Sequence, residues 1–228
     1  MTLVLAAHGT RDPAGALVVE DIAAAVRQRL AVDVEVAYVD VRSPSLTEVL
    51  RPVDSAVVVP LFLAAGYHVR VDVPSQVLAS GCSSVVVTPA LGPDRLMLDA
   101  VHARLVGAGW KHGNAVVLAA AGSSDARAVA DVHRAARRLS LLTCSDVRVG
   151  FITSARPSVP EAVAACSGGP VAIASWLLAP GLFHQRLADM GADLVSEPIG
   201  GHPRVVDLIV QRARAAGIVD LSTMLVGQ

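Results

Sequence analysis

Aromatic residues are scarce in this chain, with three phenylalanines, two tryptophans and two tyrosines among 228 residues. A sandwich core built on large rings is therefore disfavoured. The Ala, Val and Leu that dominate the 53% apolar content suit short helices on Val-rich parallel strands. An excess of charge is missing as well: 19 Lys and Arg stand against 20 Asp and Glu. No global positive field exists to attract nucleic acid, and any anionic ligand must be held by local groups. Long apolar runs are absent, since the stretch Val57 to Ala65 contains Pro60 and stops at Gly66, well short of the ~20 residues of a membrane helix. No basic segment precedes Thr2-Leu3-Val4-Leu5-Ala6-Ala7, so no signal peptide or membrane association is expected and the expected compartment is the cytoplasm. Cysteine is sparse and odd in number. Cys82, Cys144 and Cys166 form no C-x-x-C pair, which argues against a disulfide framework, a structural zinc site or an iron–sulfur cluster and predicts ordinary buried or half-buried thiols.

What the chain does contain is a repeat. Ala6-Ala7-His8-Gly9-Thr10-Arg11-Asp12 matches Ala119-Ala120-Ala121-Gly122-Ser123-Ser124-Asp125 at an offset of 113 residues. Val36-Ala37-Tyr38-Val39-Asp40-Val41-Arg42-Ser43-Pro44-Ser45 matches Val149 through Ser158 at the same offset. Phe62-Leu63-Ala64-Ala65-Gly66 echoes Leu177-Leu178-Ala179-Pro180-Gly181 with a small drift in register. The halves are placed at 1–112 and 113–228, joined through the Gly-rich stretch around Gly107, Gly109 and Gly113.

Each half reads as strand, helix, strand, helix, strand, long loop, strand, helix. In the first half the strands are Thr2 to Ala7, Val34 to Val39, Ala56 to Val59 and Ser84 to Val87. Val18, Val19, Ile22, Val26 and Leu30 recur at helical spacing behind the Asp12-Pro13 start signal, and further helices are predicted near Pro44 to Leu50 and Arg95 to Val106. Alternating strands and helices predict an α/β fold: two tandem duplicated domains, each a small doubly wound parallel sheet with helices on both faces. Ligands of such sheets sit beyond the carboxyl ends of the strands. That rule selects His8 and Gly9 after the first strand, Asp40 through Ser45 after the second and Leu61 through His68 after the third.

The string A-A-H-G-T-R-D-P behind a strand, S-P-S after the second strand, and F-L-x-x-G-Y-H-V-R-x-D-V-P after the third together resemble the sirohydrochlorin chelatase family. L-L-A-P-G-L-F-H in the second half resembles that family's second repeat, so the likeness runs in order through nearly the whole chain. The resemblance implies a two-domain chelatase with its active site in the interdomain cleft. It implies insertion of Fe²⁺ into sirohydrochlorin without ATP, with Co²⁺ insertion or a non-catalytic tetrapyrrole or metal carrier as alternatives. By the same resemblance His8 and His68 are the metal-binding pair, with Asp40 standing where some members carry glutamate.

Such chemistry needs these residue types. Two pyrrole N–H protons must leave as the metal enters, and a neutral imidazole both binds first-row divalent metals and accepts protons near neutral pH. Gly9, Thr10, Arg11, Arg42, Ser43, Ser45 and Arg70, with Ser123 and Ser124 of the second half, are the expected contacts to the carboxylates of the tetrapyrrole. Ala121 replaces His8 and Thr153 replaces Asp40, so metal handling is expected in the N-terminal half alone. His184, one position from the match of His68, and His202 are expected to be structural. His102, His112 and His133 are expected to face solvent. The metal is a substrate and no permanently bound cofactor is expected. The partners are then sirohydrochlorin and a divalent metal ion, in a monomer or homodimer.

Overall fold

The computed structural model describes residues 1–219. Its elements run β1 (Thr2–Ala7), α1 (Pro13–Leu30), β2 (Val34–Tyr38), α2 (Leu46–Leu50), β3 (Ser55–Pro60), α3 (Val73–Ser80), β4 (Ser84–Val87) and α4 (Arg95–Gly107), then β5 (Ala115–Ala120), α5 (Ala126–Thr143), β6 (Val147–Phe151), α6 (Val159–Ala164), β7 (Val171–Trp176), α7 (Leu182–Leu187), β8 (Leu194–Val195) and α8 (Pro203–Ala215). The strands form two four-stranded sheets of the same order, β2-β1-β3-β4 and β6-β5-β7-β8. Every pairing is parallel. The α/β reading and its duplication are thus realised, with the order reversing beside β1 in one sheet and beside β5 in the other.

Period-two alternation builds both layers. Val4, Ala6, Ala37, Ala56 and Val58 of the first sheet pack with Leu46 and Leu50 of α2 and Val73 of α3. The opposite alternation, Leu3, Leu5, Val36, Val57 and Val59, is also buried, and Val19, Ile22, Val26 and Leu30 of α1 are buried with it. Near-continuous apolar strands follow from cover on both faces. In the second sheet Val117, Ala119, Val171 and Ile173 pack with Val159 and Ala162 of α6 and Leu187 of α7.

Among the described residues the chain resolves into two compact units, residues 1–91 with 205–219, and residues 92–204. The 112/113 boundary read from the repeat separates the two sheets, and the compact units differ from those halves in their last helices. α4 packs on β7 and α5. The long α8 returns to the first unit, where Asp207 meets Arg29 at 3.0 Å. A helix buries its apolar stripe where the area is offered, whatever the order of the chain.

Three expectations are corrected. The predicted long loop after β3 holds a π-turn, His68–Asp72, that runs directly into α3. Cys144 is exposed, at the left-handed C-cap of α5, while Cys82 and Cys166 are half-buried. His102 and His133 are half-buried rather than solvent-facing, because each packs edge-on to a ring, Trp110 at 5.9 Å and Phe151 at 6.1 Å; His112 is exposed.

Candidate metal centre

Three loops at the carboxyl ends of β1, β2 and β3 build the site. The first two are pinned together. The amide of Val39 donates to the carbonyl of Ala7 at 2.8 Å, and that of Asp40 to the carbonyl of His8 at 3.0 Å. Gly9 makes this close approach possible: its φ is +98°, and a Cβ there would lie 2.3 Å from the Asp40 carbonyl oxygen. Asp12 then caps α1 through the amide of Ala14. The third loop is tied to the second by Gln76 of α3, whose amide nitrogen donates to the Val39 carbonyl at 2.7 Å while its oxygen accepts from the Leu46 amide at 3.1 Å.

These ties gather His8, Asp40 and His68, whose candidate ligand atoms all lie within 4.8 Å of one another. The two imidazole centroids are 4.4 Å apart with planes inclined at 35°. Phe62 lies against both rings, at 6.3 Å from His8 and 6.1 Å from His68. Donors bound at ~2.1 Å to one ion lie some 3–4 Å apart, so small side-chain movements bring this set onto a single metal. Among the described residues no other group of three or more His, Cys, Asp or Glu side chains has such geometry.

The His8 side chain keeps an open side, yet the protein around its ring removes enough water to hold its pKa below 6.5. The adjacent His68 lowers it further, against the raising influence of its own backbone, Asp40 and Asp72. His8 is therefore neutral at physiological pH, the form that binds metal. Asp40 accepts from the amide of Val41 at 2.7 Å. Val41 itself sits at φ +64°, a region costly for a β-branched residue, so strain is held beside the carboxylate.

Arg42 lies over the Tyr38 ring at 5.7 Å and donates to the Thr10 carbonyl at 3.1 Å. The Thr10 hydroxyl accepts from Asp12. Arg70 donates to the Ala65 carbonyl at 2.8 Å. Arg11 and Ser43 are exposed on the same loops. Ser45 caps α2 in a reciprocal capping box with Glu48, so its hydroxyl is already engaged. In the other unit Ser123 accepts from the Asp125 amide and Ser124 is exposed. Ala121 and Thr153 occupy the places of His8 and Asp40, and the Thr153 hydroxyl donates to the Ala121 carbonyl at 2.6 Å. A nitrogen of His184 lies 3.1 Å from the Ser196 carbonyl, and His202 accepts from the Arg204 amide at 3.2 Å.

One residue of the site was missed from sequence. Asp72 lies 2.6 Å from Nδ1 of His68. The signal was its position four residues after a candidate ligand, hidden because the segment was read as loop rather than as a helical turn.

Fold and site define a class: a duplicated parallel α/β protein with an imidazole-carboxylate cluster at the strand ends of one copy. The profile of the CbiX family matches residues 2–108 and again 115–216, and the chain belongs to that family. The sirohydrochlorin cobaltochelatase of Methanopyrus kandleri is 37% identical over 82 residues, 33% of this chain, and the match spans 57% of that protein, little more than half its length. SirB from Bacillus subtilis with Fe³⁺ superposes with a TM-score of 0.80 at 21% identity, over 98% of this chain and 96% of that one. The sirohydrochlorin chelatase SirB from Bacillus subtilis subspecies spizizenii in complex with cobalt gives 0.77 at 18% identity, over 93% of both chains. At these identities the two structures speak for the fold. Among the described residues no helix is long and apolar enough to cross a membrane.

Proposed function

We propose that this protein is a sirohydrochlorin chelatase that inserts Fe²⁺ into sirohydrochlorin without ATP. The observation that carries the reading is the convergence of His8, His68 and Asp40 at the strand ends of one copy, in a chain of the CbiX family. His8 and His68 hold the incoming ion as neutral donors in an open coordination sphere. Charge balances when the ion replaces two pyrrole protons, which leave to solvent through nearby bases. Asp40, on the same rim, is the carboxylate placed to take one of them. Arg11, Arg42 and Arg70 on the surrounding loops supply charge for the macrocycle's carboxylates.

Co²⁺ is the second reading, favoured by the name of the Methanopyrus kandleri relative and compatible with a donor set of two imidazoles and a carboxylate, which suits either metal. Anaerobic insertion of Fe²⁺ and Co²⁺ into sirohydrochlorin, followed by absorbance, tests both. Multiple turnovers with Fe²⁺ faster than with Co²⁺ are expected. Faster turnover with Co²⁺ selects the second reading. Rates no greater than the uncatalysed background with both metals overturn the enzyme and leave a carrier.

A further inference from the structure

We infer that Asp72 is a positioning residue that holds His68 in its Nδ1–H tautomer and so commits Nε2 to the metal. The inference rests on the metal-handling reading of His68 given above. Oδ2 of Asp72 lies 2.6 Å from Nδ1. An ionised carboxylate can only accept, so the shared proton belongs to Nδ1 and the lone pair is left on Nε2.

The local backbone is built for this pairing. The π-turn brings residues 68 and 72 to one side, closing with a bond from the Val73 amide to the His68 carbonyl. Asp72 immediately precedes α3, where aspartate usually caps. Asp12, Asp94 and Asp125 do so before α1, α4 and α5, each accepting from an amide two residues on. Asp72 makes no such bond; its carboxylate is turned to the imidazole instead.

The second copy supplies a control within the same chain. Counting from Gly66 and Gly181, Phe183 falls where His68 does and Leu187 where Asp72 does, and in packing Leu187 takes the core place that Val73 holds in the first unit. Leu187 is fully buried in the apolar core. Where the imidazole is absent its carboxylate is absent too, as expected of a residue kept for its partner. Carboxylate partners of ligating imidazoles fix ring orientation and raise donor strength, and their loss typically lowers metal affinity ~10–100-fold.

The test uses the full chain and the metal alone. In the metal-free protein, ¹⁵N NMR of the imidazoles should show His68 protonated on Nδ1. Titration with Co²⁺, read in its visible spectrum, should show binding weakened ~10–100-fold in Asp72→Ala. Asp72→Asn, whose amide oxygen can accept the same N–H, should recover most of the loss. Circular dichroism confirms that both variants are folded. A wild-type His68 protonated on Nε2, or a folded Asp72→Ala that binds Co²⁺ as tightly as wild type, overturns the inference. Because no tetrapyrrole is present, a loss of Co²⁺ affinity in Asp72→Ala sustains it even if insertion stays at background. Unchanged affinity in an active enzyme removes it and leaves the chelatase reading standing. A wild type that binds no Co²⁺ overturns both.

Discussion

At Gly9 and Gly122 the backbone turns with φ of +98° and +101°, and in both loops the next hydroxyl, Thr10 or Ser123, accepts from a capping aspartate, Asp12 or Asp125. The amide of Asp40 donates to the carbonyl of His8 at 3.0 Å, and that of Thr153 to the carbonyl of Ala121 at 2.9 Å. Ser45 with Glu48 and Ser158 with Glu161 form matching capping boxes. The main-chain frame is thus common to both copies, while His8, Asp40, His68 and Asp72 occur in one. Val41 is left-handed, and its counterpart Ser154 is not among the positive-φ residues described. Frame and chemistry are separable: the frame belongs to the fold, and the donors and the strain belong to the site.

The largest expected break in this comparison is His8→Ala. It installs the residue the second copy already carries at Ala121, so folding should be unaffected, yet insertion measured by absorbance should fall ~100-fold or more, the usual cost of losing an acid–base or ligand group. Next come the two glycines. A Cβ at Gly9 meets the Asp40 carbonyl at 2.3 Å, whereas one at Gly122 meets the Thr153 hydroxyl at 3.0 Å. Both alanines are strained by their positive φ, and one at Gly122 also meets the Ser154 backbone nitrogen at 3.2 Å, but the 2.3 Å approach at Gly9 is much the harder to relieve. Gly9→Ala should cost ~3 kcal/mol and Gly122→Ala ~1–2 kcal/mol in urea unfolding.

A third, smaller effect concerns pH. Burial and the neighbouring His68 hold His8 below 6.5, so its neutral, metal-binding form persists to lower pH than a free imidazole's, and an NMR titration should place its midpoint below 6.5. His68→Ala removes one cause and opens the site to water, which weakens the other, and an NMR titration should then find the His8 midpoint moved up toward 6.5. The smallest effect separates the capping boxes. Bonds from the Ser158 amide and hydroxyl and from Arg156 hold Glu161 at about 2, while Glu48, without such an arginine bond, is also lowered. A lowered carboxylate stabilises the fold above the ordinary 4.5, and that contribution is lost as pH falls toward about 2. Arg156→Ala should raise the Glu161 midpoint in an NMR titration without moving that of Glu48.

The repeat was legible because strand ends and turn residues are local: Gly9, Asp12 and Ser45 recur at a fixed offset, each for a backbone reason that the chain states within a few residues. His8, Asp40 and His68 followed from the rule that ligands sit beyond parallel strand ends, joined to the family resemblance. What could not be read was tertiary. α3 is eight residues with Pro74 near its start, too short for a periodic signal, and with the helix went its neighbour Asp72. The exchange of α4 and α8 between units depends on which apolar surface each stripe meets. His102 and His133 meet the rings of Trp110 and Phe151, contacts that spacing along the chain does not reveal.

The central claim is that one copy alone handles the metal, and the stoichiometry of Co²⁺ binding tests it most directly. Wild type should bind one Co²⁺ per chain with an imidazole-type spectrum, His8→Ala combined with His68→Ala should abolish binding, and His184→Ala should leave it intact. Two equivalents per chain, or a site that survives the double substitution and is lost with His184, would contradict the account.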